Sequence, residues 1–233
     1  MNKIGNKNFY LKLSNISKIF KQEKSLNFGG DYMPNITWLG HASFLIENSL
    51  NIFIDPWKIK TNKKADIILI THNHYDHLSP EDINKIKTPK TKIFGPKNCQ
   101  EKIPSINILE PGKKFKEKTL EIKAVPAYNI NKTYHPKEMK NVGFIIEIDR
   151  KRIYHAGDTD LIPEMQDLKN IDIALLPIGG TYTMNWQEAV KAVSIIKPKL
   201  AIPMHYNDII GSTEDAKKFK ENASCKVEIL QQK

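Results

Sequence analysis

At 233 residues the chain can bury one large core, and its 40% hydrophobic and 27% charged content is that of an ordinary globular protein. No apolar run reaches the roughly 18 residues of a membrane-spanning helix, which excludes that class. The formal net charge is +10, but Arg150 and Arg152 are the only arginines. Nucleic-acid recognition leans on the bidentate guanidinium, so the lysines read as a solvated surface, with a field for an anionic small substrate as the second reading.

Met1–Phe20 has no continuous apolar stretch of the kind a secretory leader needs. Cys99 and Cys225 stand far apart and beside no other ligand type, as free thiols in a reducing compartment do. The expected location is the cytoplasm. Residues 1–34 end in the turn-rich Phe28–Pro34 and are expected to be an N-terminal extension of a single domain spanning 1–233.

From Asn35 onward, apolar runs predict strands over Ile36–Ile46 and Leu50–Ile54, paired through a turn at Asn48-Ser49. Ala65–Ile70 is continuously apolar, as a strand buried on both faces is. Ser79-Pro80-Glu81-Asp82 opens a helix with a capping hydroxyl, proline at the first position and acids in the first turn. Strands follow at Thr91–Phe94, Leu120–Val125, Val142–Ile148, Arg152–His155 and Ile171–Leu176. Asn185-Trp186-Gln187-Glu188 is a capping box opening a helix to Ile196. Strand Lys199–Pro203, helix Ser212–Glu221 and strand Lys226–Leu230 complete the pattern. Strands that outnumber helices and adjoin in sequence predict a layered α/β sandwich.

Three of the seven histidines, His72, His74 and His77, lie within six residues, with Asp76 among them. They directly follow a buried strand. In extended backbone His72 and His74 face one side, while Asp76 and His77 begin a turn and can address a neighbouring point. Imidazole and carboxylate without thiolate point to zinc, manganese or iron.

The run His72-Asn73-His74-Tyr75-Asp76-His77 matches the HxHxDH motif, and the chain resembles the metallo-β-lactamase superfamily over about residues 35–230. Asp55 in Phe53-Ile54-Asp55-Pro56, Asp158 in His155-Ala156-Gly157-Asp158 and His205 in Pro203-Met204-His205 match further landmarks in the family's order. Trp38-Leu39-Gly40-His41 and Ala156–Asp160 look most like the ascorbate-6-phosphate lactonase-like branch. The resemblance implies a four-layer αββα sandwich with the site at one edge of its two sheets. It also implies two divalent ions, zinc first and manganese or iron as alternatives, bridged by Asp158. The ligand set would be His72, His74, Asp76, His77, Asp158, His205 and a third histidine for the first ion.

That third histidine is not where the family pattern has it. Asn129 stands there, and His135 follows six residues later; His135 is the expected ligand and Asn129 the alternative. Asp55 is expected to orient a ligand histidine. His41 and His155 are expected as structural or orienting histidines, Tyr182 on a rim loop, and Tyr206 close enough to touch substrate. Two ions would lower the pKa of a shared water, with Asp76 as ligand and orienting group. The expected function is hydrolysis of a small-molecule ester, lactone or phosphoester. A nucleotide or lipid phosphodiesterase, or a non-catalytic metal-binding sensor, is the alternative. Self-association is left open.

Overall fold

The first apolar run breaks where Gly40 and His41 take φ angles of 113° and 50°, a left-handed corner that glycine enters without a Cβ clash. The expected strand Ile36–Ile46 is therefore two, β1 (Asn35–Gly40) and β2 (Ser43–Glu47). The computed structural model describes residues 34–233, so the expected N-terminal extension lies outside the described residues but for Pro34. Ile36–Lys233 form one compact unit.

β2 pairs antiparallel with β3 (Asn51–Ile54), which starts a parallel run through β4 (Ile67–Leu69), β5 (Lys92–Gly95) and β6 (Asn107–Ile108). This first sheet is ordered β1 to β6. Its central strands are buried on both faces, as parallel strands with covered faces are. Phe53 and Ile68 pack outward with Ile83 and Ile86 of α1 (Pro80–Ile86). Ile52, Ile54, Ile67 and Leu69 alternate with them and are equally buried. Each such side chain contributes about 1.5–3 kcal/mol by leaving water. α1 starts where expected, with Ser79 Oγ accepting from the Asp82 amide at 3.2 Å.

The second sheet begins with an antiparallel meander of β7 (Lys114–Glu117), β8 (Leu120–Pro126), β9 (Val142–Ile148) and β10 (Lys151–His155). It continues in parallel through β11 (Ile173–Pro177), β12 (Leu200–Met204) and β13 (Lys226–Val227). α2 (Trp186–Ile196) and α3 (Thr213–Asn222) pack on each other and beside β11 and β13. Asn185 and Glu188 close the expected capping box at 2.9 Å in both directions. The result is the αββα sandwich.

Three strands depart from expectation at the edges. The last one ends at Val227 rather than Leu230, and β6 and β7 carry no apolar signal because they are short and mostly exposed. Lysine on an exposed edge strand such as β7 discourages pairing with another chain. No helix among the described residues is long and apolar enough to cross a membrane.

Candidate metal centre

The chemistry-bearing side chains leave the carboxyl ends of six strands. His41 follows β1, Asp55 follows β3, Thr71–His77 follow β4, Asn129 and His135 follow β8, Asp158 follows β10, and His205 follows β12. Ligands in open parallel sheets collect at that end. His41, Asp55 and His205 have φ angles of 50°, 44° and 59°, a left-handed conformation that His and Asp tolerate better than most residues. Gly157, at φ 65°, lets the loop before Asp158 approach closely. A Cβ there would lie 2.7 Å from the Val142 carbonyl and 3.3 Å from Thr71.

Within this framework His72, His74 and His135 form one group. His74 Nδ1 lies 3.1 Å from both His72 Nε2 and His135 Nε2. Asp76, His77, His205 and His41 form a second. Asp158 stands between them, with Oδ1 3.4 Å from His77 Nε2 and Oδ2 3.1 Å from His205 Nε2 and 3.5 Å from His135 Nε2. The ligand atoms within each group lie within 4.8 Å of one another.

Several of these atoms fit a cation better than they fit each other. His77 Nε2, His205 Nε2 and Asp158 Oδ1 are buried without a hydrogen-bond partner, which folded proteins seldom leave uncompensated. Burial holds His72 well below the usual imidazole range and lowers His74 and His135, so three neutral nitrogen donors converge. Burial also opposes charge on His77, but the carboxylates of Asp158 and Asp55 outweigh it and raise His77 well above its usual value. Burial likewise works against the charge of Asp158, yet His205 and His77 hold it well below the carboxylate range. The Asp76 carboxyl is pulled down to about 2 against its own burial by the His41 hydrogen bond and the field of His77. The donor set of imidazoles and two ionised carboxylates matches zinc, manganese or iron.

Partners behind the donors set their orientation. Asp55 Oδ2 accepts from His77 Nδ1 at 2.8 Å, which turns Nε2 inward. Asp55 is itself fixed by the Thr71 amide and hydroxyl at 2.8 and 2.6 Å. Asn129 Oδ1 accepts from the His135 amide and Nδ1 at 3.2 and 3.1 Å, so Asn129 lies behind His135. His41 Nε2 lies 3.0 Å from Asp76 Oδ2, and the centroid of the His41 ring lies 3.9 Å from that of His205, with the rings tilted by 43°.

Two candidates sit elsewhere. His155 is in none of the groups. Its Nε2 lies 2.9 Å from the Ala42 carbonyl and its Nδ1 accepts from the Gly157 amide, so it ties β10 to the β1–β2 corner. Tyr206, expected near substrate, is 2% exposed and stacks on Trp38 at 4.9 Å. The left-handed turn at His205 sends the chain inward there, so Tyr206 packs in the core and not on the cleft.

Tyr182 lines a cleft of about 260 Å³ that opens over the centre, together with Tyr75, Tyr134 and Ile209, which the sequence did not single out. Three larger hollows, of about 410, 610 and 400 Å³, hold none of the candidate ligands except Asn129, which lines the last. Thr71, Lys132 and Asp160 were also missed, because ordinary polar residues carry no spacing signal.

The β-lactamase superfamily domain model matches residues 35–205. A UPF0173 metal-dependent hydrolase of Archaeoglobus fulgidus is 35% identical over 213 residues, covering 82% of this chain and 91% of the relative. Another from Thermoplasma volcanium is 38% identical over 206 residues, covering 82% and 91%. The solved structure of Igni18, a metallo hydrolase of Ignicoccus hospitalis, superimposes with a TM-score of 0.72 at 30% identity, covering 85% of this chain and 95% of that one. The chain therefore belongs to the β-lactamase superfamily and, within it, to the UPF0173 metal-dependent hydrolases.

Proposed function

We propose that the chain is a dinuclear hydrolase of small-molecule esters, lactones or phosphoesters. The observation that carries this reading is the pair of donor groups sharing Asp158 at the floor of an open cleft. His72, His74 and His135 would hold one ion, Asp76, His77 and His205 the other, and Asp158 would touch both. Zinc is the first expectation. Divalent ions bound there supply Lewis acidity, which polarises a carbonyl or phosphoryl oxygen and lowers the pKa of a water.

The chain's own residues do the rest. Asp76 lines the cleft and stays ionised at neutral pH, so it accepts a hydrogen bond from an attacking water and aims it. A carboxylate so acidic orients better than it deprotonates. Its Oδ2 is pinned by His41, and such pinning preserves the near-attack geometry on which rate depends. The lactonase-like resemblance rests on Trp38-Leu39-Gly40-His41 and the Ala156–Asp160 loop, and His155 joins that loop to Ala42, directly after the first segment. The cleft volume of about 260 Å³ supports the small-substrate reading over a nucleotide or lipid phosphodiesterase.

The test is metal analysis of purified protein with a panel of lactones, esters and phosphodiesters. About two ions per chain and turnover that Asp76→Ala abolishes, with the circular-dichroism spectrum retained, are expected. Full turnover in that variant would place the activity elsewhere, and a metal-loaded wild type inert to the whole panel would end the hydrolase reading.

A further inference from the structure

Three of the seven large hydrophobic side chains that the described residues leave exposed border one opening. Tyr75 is 64% exposed, Tyr134 46% and Ile209 37%, and all three line the cleft above the candidate centre. Large apolar groups gathered at a concave site mark ligand contact more often than chance exposure does. They come from separate loops. Tyr75 sits between His74 and Asp76, Tyr134 directly precedes His135, and Ile209 follows His205. Tyr182 arrives from the loop before α2 and meets Tyr134 edge to face at 4.6 Å. Tyr75 meets the Trp57 ring edge to face at 6.0 Å. The aromatic walls are thus braced and part of the same loops that carry the donors.

The charge of these walls is as informative as their shape. Among the described residues, the nine that line the cleft include no lysine or arginine, in a chain that carries 36 such residues. Lys132, in the loop that delivers Tyr134, is not among the lining residues and is held by Asp160 at 2.5 Å and by the Gly180 and Thr183 carbonyls at 3.1 and 2.7 Å. Lys102 donates to the Asn73 carbonyl at 2.8 Å, and Lys58 lies over Trp57 at 3.9 Å. A phosphate or carboxylate carried away from the reacting carbon would find no cationic partner in these walls, and its desolvation would go uncompensated.

From this we propose that the cleft selects an uncharged ester or lactone whose acyl or alcohol portion is an aromatic or branched hydrocarbon group, packed against Tyr134, Tyr182 and Ile209. This deepens the hydrolase reading and rests on it for turnover, though not for binding. The volume of about 260 Å³ is just below the roughly 300–1,000 Å³ of drug-sized ligand pockets, which fits a small substrate.

The experiment compares matched pairs on the metal-loaded protein. One pair is a phenylalkyl γ-lactone against its carboxylated analogue, and the other is 4-nitrophenyl butyrate against 4-nitrophenyl hemisuccinate. The neutral member of each is expected to show at least a tenfold higher kcat/KM. Tyr134→Ala and Tyr182→Ala should raise KM for the phenylalkyl lactone about tenfold with a much smaller change in kcat and unchanged metal content. Tyr182→Arg should narrow the neutral-to-anionic ratio about tenfold. Preference for the anionic member, or tyrosine variants that lose kcat equally on every substrate, would overturn the inference and leave hydrolysis standing. Should nothing be turned over, calorimetry with a non-hydrolysable phenylalkyl lactam decides. Binding that weakens in both alanine variants upholds the neutral apolar cleft while hydrolysis falls, and no binding overturns both.

Discussion

Asn129 uses both hydrogen-bonding directions of its side-chain oxygen on His135 and both amide hydrogens on Asp160 Oδ1 and the Tyr182 carbonyl, at 3.1 and 2.9 Å. An amide so engaged has no lone pair left to face an ion. Its role is to receive the Nδ1 hydrogen of His135 and thereby fix the tautomer that points Nε2 toward His74 and Asp158. We expect His135→Ala to lose about one ion per chain at limiting metal. Asn129→Ala should keep both ions at saturation but bind one of them about 10–100-fold more weakly, as loss of an orienting partner does. Titration with a chromophoric chelator distinguishes the two, and loss of an ion from Asn129→Ala alone would transfer the ligand role. Asp55→Ala belongs with Asn129→Ala, because Asp55 stands to His77 as Asn129 stands to His135.

Strand ends supply the donors, and the loops that follow them set their spacing. Lys132 ties the segment that carries Asn129 and His135 to the one that carries Tyr182, through Asp160 and the Gly180 and Thr183 carbonyls. Its side chain is 25% exposed and that of Asp160 is 9% exposed, so the pair is only partly desolvated. Lys132→Met should destabilise by about 2 kcal/mol, less than the about 3–5 kcal/mol for breaking a fully buried pair. Hydrogen exchange should quicken between 129 and 135 and near 182 while the strands keep their protection. Uniform protection in the variant would show that the loops are held without Lys132. Such ties were invisible in the sequence, because a lysine and an aspartate 28 residues apart announce nothing. The strands were legible because Ile52–Ile54, Ile67–Leu69 and Ile173–Pro177 are runs with both faces buried. The His72–His77 run was legible because ligands crowd one turn. The corner at His41 was not, since apolar residues flank it on both sides and only its backbone angles break the strand. Tyr206 was misplaced for the same reason, its direction being set by the positive φ of His205.

At the scale of the molecule, the centre sits where the two sheets meet. His72, His74, Asp76 and His77 come from the first sheet, and His135, Asp158 and His205 from the second. An ion held by donors from both sheets crosslinks them and binds only the folded chain, so its binding free energy adds to stability. At free metal 100 times its Kd, one ion adds about 2.7 kcal/mol. For a domain of this size that corresponds to a Tm about 5–11 °C above that of the chelated protein. Protons oppose this gain, and the sign follows from His77. The carboxylates of Asp158 and Asp55 raise its pKa well above the usual value, so at neutral pH the metal-free protein holds a proton there. That proton contributes stability to the metal-free fold below the unfolded-state histidine pKa of about 6.5 and is lost as pH rises through the raised folded value. An entering cation must displace it, whereas His72, His74 and His135 are already neutral and release none. Metal binding should therefore release about one proton per chain near pH 7, read from calorimetry in two buffers of different ionisation enthalpy. Below the raised folded value of His77 its proton competes with the cation more strongly as pH falls, so the Tm difference between metal-loaded and chelated protein should shrink steadily toward pH 5. A difference that stays constant from pH 5 to 8, with no proton released, would mean that the stabilising ion is not held by these histidines.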